Sequence, residues 1–120
     1  TRNRTNTPLQ ALAMLNDPLV LEASRVLANK LIGEGKEYEE AIQEAFLRII
    51  CRTPKAEEFE LLKEYYQEEL KRFKQKPETI LETVNAGEFP LDQYSDSPET
   101  AALMQVVVAI YNVEEAITKT

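Results

Sequence analysis

Tyr38-Glu39-Glu40-Ala41-Ile42-Gln43-Glu44-Ala45-Phe46-Leu47-Arg48-Ile49 carries the pattern that decides the fold. Tyr38, Ala41, Ile42, Ala45, Phe46 and Ile49 recur at i, i+3, i+4, i+7, i+8 and i+11, which places them in one stripe on an α-helix. A strand would alternate apolar and polar residues, and this stretch does not. The spacing predicts a core-facing helix between Lys36 and Arg52.

The same periodicity continues on both sides. Downstream, Pro54 to about Gln75 sets Phe59, Leu62, Tyr66, Leu70 and Phe73 on one face, with Glu68 able to reach Arg72 on the other. Tyr65 and Tyr66 point to different sides of that helix, so one is expected in the core and the other is a candidate contact surface. Upstream, Pro8 to about Leu15 forms a short helix on Leu9, Leu12 and Leu15. Asn16-Asp17-Pro18 ends it and opens another to about Ile32, striped by Val20, Ala23, Leu27 and Leu31. Gly33 is then expected as its left-handed C′ residue. Pro77 to Ala86 reads as a shorter helix stopped by Gly87. A polar loop, Glu88 to Asp96, follows, with Phe89 and Tyr94 as tethers.

The last helix opens at Pro98 and is apolar nearly all round through Ala101–Met104 and Val106–Ile110. A helix without a polar face belongs at the centre of a bundle. Val106-Val107-Val108 would suit a strand, but a lone strand has no sheet to join. Five prolines precede helical stretches, at 8, 18, 54, 77 and 98, and Thr7, Asp17, Thr53 and Ser97 stand before four of them as candidate N-caps. The fold expected is an all-α, irregular bundle of about six helices in one domain spanning 1–120. Residues 1–7 are a lead-in, 8–112 the helical core and 113–120 a tail.

Composition narrows the chemistry. The chain has 120 residues, no His, one Cys and three Gly. Without His it lacks the commonest general base and metal ligand, and one thiol makes neither an internal disulfide nor a thiolate cluster. Gly33, Gly35 and Gly87 form no phosphate-cradling loop. A formal charge of −7 opposes nucleic-acid binding, and no apolar run is long enough to span a bilayer. The excess of negative charge lies at the C-terminal end, where residues 77–120 hold one basic and eight acidic groups. Glu88, Asp92, Asp96 and Glu99 match no calcium-loop spacing, so no metal site is assigned. Cys51 is expected to be a packed small residue, and carboxylates one turn apart, such as Glu40 and Glu44, suit a solvated helix face. Catalysis is not indicated, and no cofactor is assigned to these residues.

Two groups of residues remain as candidates. Arg2, Arg4, Asn6 and Gln10 place cations and amides around a helix start and suit docking onto an upstream domain of the same polypeptide. Thr7, Asp17, Arg52, Thr53, Ser97 and Asn112 suit helix junctions, where short polar or cationic side chains satisfy backbone groups left open. In that scheme Arg52 bonds the last carbonyls of the helix it ends and Thr53 caps the next.

Thr5-Asn6-Thr7-Pro8-Leu9-Gln10-Ala11-Leu12, followed by Leu15-Asn16-Asp17-Pro18, resembles the TNTPLQAL…LNDP signature of a bacterial domain of unknown function, number 1553, found at the C-terminus of large planctomycete surface proteins. Cys51-Arg52-Thr53-Pro54 with Glu57-Glu58 is similar to that family's G-R-x-P-x-x-E-E turn, with Cys51 in place of the usual Gly. Ile110-Tyr111-Asn112-Val113-Glu114-Glu115 is similar to its closing L-L-N-x-x-E-F, with Tyr111 for Leu and Ala116 for Phe. The resemblance implies the C-terminal part of that domain, in a large exported, extracytoplasmic protein that often carries a cytochrome-c-like segment. No haem motif occurs in this stretch. With no catalytic chemistry indicated and a polar, cationic start, the chain is expected to be a non-catalytic structural or interaction module. The alternative is a domain that completes the active site or substrate cleft of an exported enzyme, one that would act on polysaccharide.

Overall fold

The computed structural model describes residues 18–84 and 97–118, with side chains as far as Val113. Among the described residues every regular element is a helix: α1 (Pro18–Gly33), α2 (Tyr38–Ile50), α3 (Ala56–Gln75), α4 (Glu78–Val84) and α5 (Pro98–Thr118). The expected helix at Pro8 to Leu15 and the loop at Glu88 to Asp96 lie outside the described residues.

α5 is the hub. Thr100 to Met104 and Val106 to Ile110 are all fully buried, and the helix packs against all four others, most extensively against α1 and α3. From Thr100 to Val113 it carries no charged side chain, so no face of it prefers water and a position enclosed by neighbours is favoured. The Val106-Val107-Val108 run is helical despite its β-branching, because burial from all sides outweighs a small propensity cost. α5 also continues past Asn112 to Thr118, so the stretch expected as a tail from 113 begins as helix.

α2 buries Ala41, Ile42, Ala45 and Phe46 on its expected stripe. Glu39 and Glu40 in its first turn and Arg48 in its last complement the helix dipole. α3 buries Leu62, Tyr65, Tyr66 and Phe73. Both tyrosines are therefore interior, contrary to the division expected from their directions. α3 touches α2, α4 and α5, which widens its buried arc beyond a single stripe. Tyr66 stacks on Tyr38 of α2 with ring centroids 4.6 Å apart and planes 6° from parallel. On the outer side of α3, Arg72 pairs with Glu69 at 2.6 Å rather than with Glu68.

Two turns end in the left-handed region. After α1 the positive φ, 79°, falls at Gly35 and not at Gly33, which is the helix's last residue. Lys36 N–H donates to Leu31 C=O and Gly35 N–H to Ile32 C=O, the paired bonds of a Schellman cap with Gly35 at C′. After α2 the left-handed residue is Cys51, φ 69° and ψ 29°, whose N–H donates to Leu47 C=O at 2.9 Å. Cys51 is exposed, which corrects its expected packing: a C′ residue projects from the helix end, here into solvent.

Candidate interaction site

An open groove of about 820 Å³ runs between α1, α2 and α5. Leu19, Ala23, Val26 and Leu27 of α1 form one wall, Ile49 of α2 the other, and Tyr111 of α5 adds an aromatic face; Glu22, Lys30 and Arg48 edge it. Helical geometry sets this up. Ser24, Arg25, Ala28 and Leu31 of α1 turn to the core, which leaves the 19, 22, 23, 26, 30 face of the same helix turned outward. Two positions on that face are apolar where solvent exposure would favour polar residues: Leu19 is 78% exposed and Val26 45%. Two of the edge charges are restrained by neighbours four residues away, Lys30 to Glu34 at 2.8 Å and Arg48 to Glu44 at 2.7 Å.

The second feature is the α2–α3 junction. Arg52 meets Glu58 two-pronged, Nη1 to Oε1 at 2.9 Å and Nη2 to Oε2 at 3.0 Å, and also donates to the Thr53 carbonyl at 3.2 Å. Its guanidinium carbon lies 5.1 Å from the centre of the Phe46 ring, within cation–π range. Glu58 accepts the Lys55 N–H at 2.8 Å, which caps α3 at a residue with no suitable side chain of its own. The Arg52 hydrogen bonds hold the Glu58 carboxyl below its ordinary pKa, helped by the Lys55 N–H, and Glu58 in turn raises that of Arg52.

These contacts revise the expected roles at this joint. Arg52 does not bond the last carbonyls of α2; its fork matches the Glu58 carboxylate better than it matches single carbonyl oxygens. Thr53 is exposed and α3 starts at Ala56, so Lys55 is the N-cap position and the Thr53 side chain is not the cap. Pro54 consequently precedes the helix instead of opening it, whereas Pro18 and Pro98 are first helical residues. At α5, Ser97 Oγ accepts the Thr100 N–H at 3.0 Å and donates to Thr100 Oγ1 at 2.8 Å, the geometry of an N-cap. Asn112 lies inside α5, buried, and not at a junction. Arg2, Arg4, Asn6, Thr7, Gln10 and Asp17 lie outside the described residues.

The groove was not read from sequence. Of the stripe expected in the core, only Leu31 is fully buried; Ala23 and Leu27 line the groove, and α1 turns Ser24, Arg25 and Ala28 inward instead of Val20 and Ala23. No group of His, Cys, Asp and Glu among the described residues is arranged to hold a metal, and no described helix is long and apolar enough to cross a membrane.

Comparison with known proteins returns no matching curated protein and no matching solved structure. A family model does match, over residues 1–66, a span that holds the TNTPLQAL and LNDP motifs, α1, α2, the Arg52–Glu58 joint and α3 as far as Tyr66. With more than half of its length matched, the chain belongs to the family described as PSD1, protein of unknown function (DUF1553).

Proposed function

We propose that this domain is a non-catalytic helical interaction module of a large exported multidomain protein, and that the α1–α2–α5 groove receives an upstream domain of the same polypeptide. One observation carries the reading: among the described residues an apolar groove is open between three helices, lined by side chains as exposed as Leu19. Exposed apolar surface gathered in one concavity and edged by charge is the form of a docking site. The groove begins on α1, the helix that follows the polar string Arg2 to Gln10 in sequence, so one partner could engage both. The exported setting and the upstream neighbour rest on the motif resemblance.

An enzyme reading makes another demand. Glycoside cleavage needs two carboxyl groups about 5 Å or about 7–9 Å apart in a cleft, and among the described residues Glu22 is the one acidic side chain lining this groove. The test is direct binding. The parent's upstream portion, expressed separately, is titrated by calorimetry with this chain and with Leu19→Glu. Micromolar binding lost in Leu19→Glu supports the module. No binding at high micromolar concentration, or equal binding by both, removes the groove from the reading.

A further inference from the structure

α1 buries an arginine. Arg25 is 1% exposed, and none of Nε, Nη1 and Nη2 has a hydrogen-bond partner among the described residues. On α5, Asn112 is buried and its Nδ2 has none. The Ser24 hydroxyl, on the same turn of α1 as Arg25, is likewise buried and unpartnered. Position relates the first two. Glu22, Ala23 and Val26 line the groove together with Tyr111, so those turns of α1 and α5 lie side by side. Arg25 and Asn112 are chain neighbours of those lining residues and are turned away from the groove into the protein.

The chemistry of what is missing follows from the donors. A guanidinium offers five N–H groups and a charge it cannot shed by losing a proton, and a carboxamide nitrogen offers two more. A buried unpaired charge is among the costliest features a fold can carry, and an apolar residue of similar length would fill the space without it. An acceptor with negative charge and two oxygens in a plane matches the guanidinium fork. We propose that Arg25, assisted by the Asn112 carboxamide, is a buried seat for one carboxylate, supplied either by an acidic side chain of this chain or by a small free carboxylate ion.

Thermal unfolding of the whole chain and of Arg25→Met, in sodium acetate against sodium chloride at matched ionic strength, separates the sources. A free carboxylate raises the wild-type midpoint in acetate and leaves Arg25→Met unmoved. A carboxylate of the chain gives no acetate effect. In that case Asp→Asn and Glu→Gln substitutions at positions 17, 22, 88, 92, 96, 114 and 115, each made in both backgrounds, identify one that lowers the wild-type midpoint and not that of Arg25→Met. Should Arg25→Met not fold, Arg25→Lys replaces it, since lysine keeps the charge and loses the fork. If acetate does not distinguish the two proteins and no acidic substitution depends on Arg25, the proposal is overturned.

Discussion

The Arg52 guanidinium and the Glu58 carboxylate join the end of α2 to the start of α3 through two parallel hydrogen bonds of 2.9 and 3.0 Å, while one oxygen of the same carboxylate caps α3 at Lys55. One carboxylate thereby fixes a turn and starts a helix, and Arg52 holds it for both tasks.

Arg52→Ala should lower the melting temperature by a few degrees, since a partly exposed pair of good geometry is worth about 0.5–1 kcal/mol. The pH dependence gives a sharper signature. Glu58 is held below its ordinary value of 4.5, so its contribution is present above about pH 4.5 and is lost as pH falls through the lower folded value. The gap in stability between wild type and Arg52→Ala, measured by urea unfolding, should be full at pH 7 and shrink below about pH 4.5. A gap that widens on acidification would contradict this.

Cys51→Gly should stabilise the protein by about 0.5–1 kcal/mol. The residue is exposed and left-handed at φ 69°, a conformation that costs an L side chain and not glycine, with the greater freedom of glycine in the unfolded chain offsetting part of the gain. Chemical denaturation measures it. Cys51→Val, β-branched, should move the midpoint the other way.

Val107→Asp should be the severe substitution. Val107 is fully buried on a helix enclosed by its neighbours, and a carboxylate there costs about 3–5 kcal/mol, from lost apolar burial and an unpaired interior group. Circular dichroism at 25 °C should show reduced helix or a much lower melting point. Leu19→Glu, at a site 78% exposed, should leave the melting point within about 2 °C of wild type.

Tyr66 predicts the alkaline limit. Burial pushes its phenol up to about 12, and burial raises that of Tyr65 further. A folded value above the unfolded 10 means that this stability is complete below about pH 10 and is lost as pH rises toward the folded values. Absorbance titration should count one fewer ionisation-resistant tyrosine in Tyr66→Phe than in wild type. An equal count in the two proteins would show that Tyr66 is not one of them.

Helix identity was legible because it follows from local spacing: the stripe of α2 and the all-apolar α5 each contain their own answer. The positions of residues between helices were less so. Thr53-Pro54 looks like a cap and first helical residue, but the Glu58 side chain reaches back to Lys55 and moves the start of α3 to Ala56. Gly33 and Gly35 compete for one left-handed position, and the bond from Lys36 to Leu31 decides for Gly35. Neither Tyr65 nor the groove could be read, since both depend on which third helix stands alongside. Burial of Arg25 runs against composition rules altogether.

The helix that completes the core is also the one made after the other four. α1 to α4 pair with one another only sparingly and meet chiefly through α5, so a ribosome that has released them has not yet released what holds them together. Their apolar faces stay uncovered through synthesis of the intervening segment and of Pro98 to Val113 itself. Closure depends on contacts distant in sequence, which slow a helical protein's folding relative to its size. A chain cut short before Pro98 would keep the sequence of α1 to α4 and lose the element on which they assemble.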